Sequence, residues 1–220
     1  YEKNLARKEN YGSQRNTNDI KWLVIHYTSN DGDSDESNGK YFAREVVKAS
    51  AHYFVDDDSV TQSVPDNYAA YAVGGKCQSN HHPYYKKATN SNSISIEMCD
   101  NHKDGVVNIC DETLANTYAL ARALMSKYNI DINHVIRHYV NGKLCPNCNG
   151  LLNDNTWAQF KNNIVNSTTG PLGSGAIVPS VAVNNNKDSI ISRGQQHSIN
   201  FTGHSIATDG IFGPNTQANV

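Results

Sequence analysis

The uninterrupted apolar run Trp22-Leu23-Val24-Ile25, closed by His26, constrains this chain more than any other segment. A strand with one solvent face alternates apolar and polar residues. A continuous run instead marks a strand covered on both faces, as in parallel sheets with layers packed above and below. Residues 21–28 are therefore read as a central strand. Ser93 to Cys99 alternates, with Ile94, Ile96 and Met98 facing one way and Ser95 and Glu97 the other, which predicts a half-covered strand. Val135 to Tyr139 reads as another strand, and residues 50–56 and 60–64 as two more around the turn Asp57-Asp58-Ser59.

Helical spacings lie between these strands. Lys40 to Lys48 places Phe42 and Val46 four apart. Leu114, Tyr118, Ala121, Met125 and Tyr128 form a core-facing stripe behind Asp111, a plausible cap. Asn153 to Val165 carries Trp157, Phe160 and Ile164 on one side. Strands alternating with helices predict an α/β domain over residues 1–165, a central mixed β-sheet flanked by helices. The polar residues 1–20 read as an arm laid on that domain, and 31–39 and 75–92 as loops. From 166 to 187 the composition shifts to Ser, Thr, Gly, Pro and Asn without apolar periodicity, the signature of a linker. Residues 188–220 read as a small, truncated helical segment.

Bulk properties exclude some function classes. The formal net charge of −2 lacks the basic field of a nucleic-acid binder. No apolar run is long enough to span a bilayer as a helix. Five cysteines (Cys77, Cys99, Cys110, Cys145 and Cys148) are an odd number in a chain large enough to fold without disulfides, so most are read as reduced.

The residues that carry chemistry are His26, His138 and Cys145. His26 ends the central strand, and His138 lies near the end of another. Cys145 follows after the glycine-containing stretch Gly142-Lys143-Leu144, which lets the chain turn back. Two imidazoles and a thiolate leave a fourth position open, the arrangement of a catalytic rather than a structural Zn2+. Bound zinc lowers the pKa of water from about 16 to about 7, and a base must then handle the proton. Glu97, on the polar side of its strand, is the candidate base. Lys143 is the candidate for stabilising negative charge in a tetrahedral intermediate. This set points to hydrolysis of an amide bond.

The segments Trp22-Leu23-Val24-Ile25-His26-Tyr27-Thr28, Ser50-Ala51-His52-Tyr53-Phe54-Val55, Ser93-Ile94-Ser95-Ile96-Glu97, Arg137-His138-Tyr139 and Gly142-Lys143-Leu144-Cys145-Pro146 carry a resemblance. Residues 21–165 resemble the zinc-dependent N-acetylmuramoyl-L-alanine amidases of the bacteriophage-lysozyme and peptidoglycan-recognition-protein type. The resemblance implies zinc ligation by His26, His138 and Cys145, and catalytic positions for Glu97 and Lys143. It implies peptidoglycan as partner, and cleavage of the amide between N-acetylmuramic acid and L-alanine by a phage endolysin or a bacterial autolysin. The implied place of action is extracellular, at the cell wall, after secretion or release from the cytoplasm at lysis. Three departures stand out. The stretch from His138 to Cys145 is one residue shorter than the family pattern, Val140 replaces an acidic residue, and Ala70-Tyr71-Ala72-Val73-Gly74 replaces a tryptophan-histidine pair. In the tail, Asp209-Gly210-Ile211-Phe212-Gly213-Pro214-Asn215-Thr216 resembles the signature turn of a small helical peptidoglycan-binding domain, present here as a partial copy.

Competing readings stay open at this point. His134 is a rival ligand to His138. Cys145 and Cys148 form a single Cys-Pro-Asn-Cys pair, compatible with redox or metal chemistry. His52, Tyr53, His81 and His82 are read as structural or surface residues. At the level of function, the alternatives are a non-catalytic peptidoglycan-binding module and a cysteine hydrolase using Cys145 with His138 as base.

Overall fold

The structure is a computed structural model that describes residues 1–73, 83–140, 143–144 and 154–166. Its strands are β1 (Glu2–Lys3), β2 (Tyr11–Gln14), β3 (Trp22–Tyr27), β4 (Tyr53–Val55), β5 (Val60–Gln62), β6 (Tyr68–Ala70), β7 (Ser93–Met98), β8 (Val135–Arg137), β9 (Tyr139–Val140) and β10 (Lys143–Leu144). Its α-helices are α1 (Asp35–Arg44), α2 (Asp111–Tyr128) and α3 (Asp154–Asn166). The main sheet runs in the order β1-β5-β4-β7-β3-β8. Strand β3 is parallel to both neighbours, β7 and β8, while β4 and β5 form an antiparallel hairpin, so the sheet is mixed. Two further two-stranded ladders join β2 to β6 and β9 to β10.

The continuous apolar run explains why β3 is central. Leu23, Ile25 and Tyr27 enter a core with Ile94, Ile96 and Met98 of β7, Val135 of β8, and the inner stripes of α2 and α3. Val24, two residues before His26, faces the opposite layer, against Ala72, Val73, Ala88 and Ile136. Leu23 and Ile25 are fully buried, and each such side chain stabilises the fold by roughly 1.5–3 kcal/mol relative to exposure.

Helix α1 covers the β4 end of that second layer, with Phe42 stacked on Phe54 at 5.4 Å between ring centroids. It starts five residues earlier than the expected 40–48 and ends at Arg44. Ser34 caps it, and Ser37 returns the capping bond. Glu36 favours the first turn through the helix dipole. Gly39 lets α1 approach β5 closely, because a Cβ there would lie 2.7 Å from the Thr61 methyl.

Strand β7 is not half-covered. All six of its residues are buried, the polar ones included. Residues distant in sequence cover its polar side, His52 against the Ser95 amide among them. The arm adds β1 beside β5 and β2 beside β6, and it brings Arg15 to the first residue of β7. Arg15 donates to the carbonyls of Asp66 (3.0 Å), Asn90 (2.9 Å) and Ser93 (2.7 Å). The expected strand 135–139 splits into β8 and the β9–β10 hairpin, and the expected helix 153–165 forms as α3. Of the linker expected over 166–187, Asn166 is the last residue of α3; the rest of it and the small segment 188–220 lie outside the described residues, as do Cys77, Cys145, Cys148, His81 and His82. Cys99 and Cys110 are free thiols.

Loops beyond β3 and β7 are joined by buried carboxylates. Asp33 accepts from the Asp100 amide and donates its own amide to the Asp100 carbonyl. Asp56 accepts from the Asp35 amide at the start of α1. Burial pushes the Asp33 and Asp100 carboxyls up to about 6. Asp35 is raised by burial first and by Asp56 second. A raised carboxyl favours the protonated folded state. Its contribution is complete below the unfolded pKa near 4 and is lost as pH climbs through the folded value. Asp66 is shifted the other way by bonds from Tyr128, Tyr53 and Lys127, so its contribution is lost only in acid. His52, held down to about 3 by burial, works the other way and adds stability only up to the unfolded imidazole value near 6.5, so the thermal midpoint should fall between pH 6.5 and pH 8, by roughly 5 °C. Asp35→Asn should flatten the upper part of that decline. Thermal scans across this range check it, and a midpoint that rises with pH contradicts it.

Candidate metal centre

Parallel register builds the site. His26 on β3 is the Cα partner of Glu97 on β7. On the other side Ile25 pairs with Arg137, and the next residue, His138, donates its amide to the Ile25 carbonyl at 3.1 Å. Glu97, His26 and His138 thus occupy one row across adjacent strands. Side chains alternate across a sheet, so each points to the layer that holds Val24 and Ile136, two residues earlier on their strands. The imidazole centroids of His26 and His138 are 4.6 Å apart, with the rings tilted by 39°. Glu97 Oε1 lies 3.7 Å from His26 Nδ1.

All three side chains are almost excluded from water, with 5%, 1% and 6% exposure for His26, Glu97 and His138. Burial, and then the neighbouring His138, lowers the His26 pKa well below the ordinary imidazole value. His26 is therefore neutral at physiological pH, the form that coordinates a metal. The Nε2 atoms of His26 and His138 are buried without a hydrogen-bond partner among the described residues. A buried polar atom left unmatched costs about 1–3 kcal/mol, and a cation shared by the two rings removes that cost.

Among the five residues singled out from the sequence, His26, Glu97 and His138 come together. Lys143 is described through its backbone, paired with Val140, and Leu144 pairs with Tyr139. That hairpin ends one residue from His138 on one strand and one residue short of Cys145 on the other. Cys145 itself lies outside the described residues. The rival ligand His134 is elsewhere. It precedes β8, and its ring packs on Trp22 at 4.5 Å. His52 is structural, as expected. Its Nδ1 accepts from the Ser95 amide at 3.1 Å, and burial holds its pKa down at about 3.

Sequence reasoning missed two acidic groupings near the α1 start and the β4–β5 turn: Asp35 with Glu36 and Asp58, and Asp56 with Asp57 and Asp58. Their oxygens cap backbone amides. Asp56 Oδ1 accepts from Asp58 and Ser59, and Asp35 Oδ1 accepts from Glu36. The helix-start signal at Ser34, with its acidic first turn, could have found this arrangement.

Known proteins are similar to this chain in sequence and in fold. The sequence profile described as N-acetylmuramoyl-L-alanine amidase matches residues 16–148, more than half of the 220-residue chain. N-acetylmuramoyl-L-alanine amidase CwlL of Bacillus licheniformis is 36% identical over 133 residues, covering 58% of this chain and 36% of that protein. N-acetylmuramoyl-L-alanine amidase BlyA of Bacillus subtilis is 33% identical over 154 residues, 66% of this chain and 41% of its own length. The chain thus spans about two fifths of these relatives. The solved structure of PlyL superposes with a TM-score of 0.56 at 28% identity, covering 74% of this chain and 95% of that one. The catalytic domain of XlyA gives a TM-score of 0.56 at 26% identity, covering 74% and 97%. The mixed sheet with its covering helices is therefore the fold of those catalytic domains, and the chain belongs to the N-acetylmuramoyl-L-alanine amidase family.

Proposed function

We propose that this chain hydrolyses the amide between N-acetylmuramic acid and L-alanine in bacterial peptidoglycan, with zinc held by His26, His138 and Cys145. The observation that carries this reading is the pair of buried imidazoles whose Nε2 atoms find no hydrogen-bond partner among the described residues, beside a buried carboxylate. A thiolate completes the donor set that zinc prefers, and three protein donors leave one position for solvent or substrate.

When bound, zinc polarises the scissile carbonyl and renders a water acidic enough to attack near neutral pH. Glu97, held within the row by its register with His26, would take the proton from the attacking water. It then returns the proton to the departing amide nitrogen of L-alanine, so a carboxylate forms on the lactyl group and an amine is released. Lys143 offsets the negative charge that builds on the carbonyl oxygen in the tetrahedral state. Burial of Glu97 strengthens these charge interactions by excluding water. Two regions follow the domain in sequence: the linker 166–187 and a peptidoglycan-binding segment within 188–220. That segment tethers the catalytic domain to its polymer and raises the local substrate concentration. The place of action is the cell wall. Among the described residues no helix is long and apolar enough to cross a membrane.

Chelation separates this reading from a cysteine hydrolase. EDTA should abolish release of new alanine amino termini from purified wall, and zinc should restore it, whereas a cysteine hydrolase keeps its activity in EDTA. Cys145→Ser should lose zinc and turnover together, as read by metal analysis and amino-terminus release. Glu97→Ala should keep stoichiometric zinc while turnover falls about 10²–10⁴-fold, the range for removing a general base. Full turnover in Glu97→Ala would assign the proton transfer elsewhere.

A further inference from the structure

Segment 71–73 packs on the strands that carry the two histidines, yet it belongs to no ladder of the main sheet. Ala72 and Val73, 2% and 6% exposed, lie on Val24 of β3 and Ile136 of β8. Those two floor residues stand two positions before His26 and His138 on the same face, about 6.5 Å along each strand. The amides of this segment go to side chains. Tyr71 donates to Ser50 Oγ at 3.1 Å, and Ala72 and Val73 both donate to Asn90 Oδ1, at 3.1 and 2.6 Å.

Asn90 is itself fixed from behind. Its carbonyl accepts from the Arg15 guanidinium at 2.9 Å, and the same Arg15 nitrogen holds the Ser93 carbonyl at the head of β7. Asn92 closes the turn by accepting the Thr89 amide at 2.8 Å and donating to the Lys87 carbonyl at 2.8 Å. One amide side chain therefore ties a segment over the histidine-bearing strands to a turn anchored on the N-terminal arm.

We propose that Asn90 is a positioning residue: its Oδ1 sets segment 71–73 against Val24 and Ile136, alongside His26 and His138 on the same sheet face, and so sets the geometry in which the muramoyl-alanine amide is presented. This rests on the amidase reading above. Loss of the Asn90 acceptor loosens this segment without breaking a sheet ladder, so the domain keeps its fold and its metal ligands. Misplacement of groups around a reacting bond by about 1 Å can cost on the order of 10²-fold in rate.

The test compares Asn90→Ala with Asn90→Asp, whose carboxylate keeps the acceptor oxygens. Both are loaded with zinc and assayed on a soluble muropeptide below their melting midpoints. Asn90→Ala should retain full zinc content while kcat/KM drops about 10- to 100-fold, with KM carrying a share that a purely thermal destabilisation does not produce. Asn90→Asp should stay near the wild-type value. Wild-type kcat/KM in folded, zinc-loaded Asn90→Ala overturns the proposal, as does an Asn90→Asp as impaired as the alanine variant. Should Asn90→Ala not fold, Ser50→Ala removes the neighbouring hold on Tyr71 and should give the same loss. If the wild-type chain cuts nothing, the amidase reading fails. The proposal is then read from calorimetric titration with the muropeptide: weaker binding by Asn90→Ala supports it, and equal binding, or none by either protein, overturns it.

Discussion

Parallel pairing of β3 with β7 and β8 is the constraint on which the rest depends. The period of a strand is two, so a slip of one residue in either pairing turns a side chain to the opposite face. In the observed register, Glu97, His26 and His138 form one row on one face. Slippage is opposed by the other face of the same strands. There Leu23, Ile25, Ile94, Ile96 and Val135 are buried completely under α2 and α3. The apolar layer on one side thus fixes the chemistry on the other.

Polar groups beneath the site are arranged to tolerate burial. Glu97 shares its strand face with Ser93 and Ser95, and the arm supplies Arg15 to engage the strand's carbonyl edge. His52 stays neutral and accepts the Ser95 amide. Asp66 gathers the hydroxyl of Tyr53 and the ammonium of Lys127 on its two oxygens. These bonds join residues far apart in sequence, so the arm, the β6–β7 turn and the C-terminal end of α2 hold the sheet as one body. The arm reaches beyond the matched family region, which begins at residue 16.

Much of this was legible in the sequence because it rests on local periodicity. The apolar run of β3 and the stripe of α2 each state which faces are covered, and the alternation of β7 states which of its residues enter the apolar core. The histidines were legible because each ends an apolar strand. What was hidden depends on non-local contact. The polar residues of β7 suggest an open face, since nothing in 93–99 shows that residues distant in sequence, such as His52, pack on it. The start of α1 was misread because Asp35 and Glu36 resemble loop residues unless Ser34 is recognised as a cap. Asn90 carries no local signal, as its partners lie 17 and 18 positions away.

The central claim is that His26, His138 and Cys145 grip one zinc ion and leave a position open. X-ray absorption at the zinc edge of the purified chain tests it most directly. The account predicts two nitrogen donors at about 2.0–2.1 Å, one sulfur at about 2.3 Å and one lighter exchangeable donor. His26→Ala should remove one nitrogen from that shell. A shell without sulfur, or one closed by four protein donors, would contradict it.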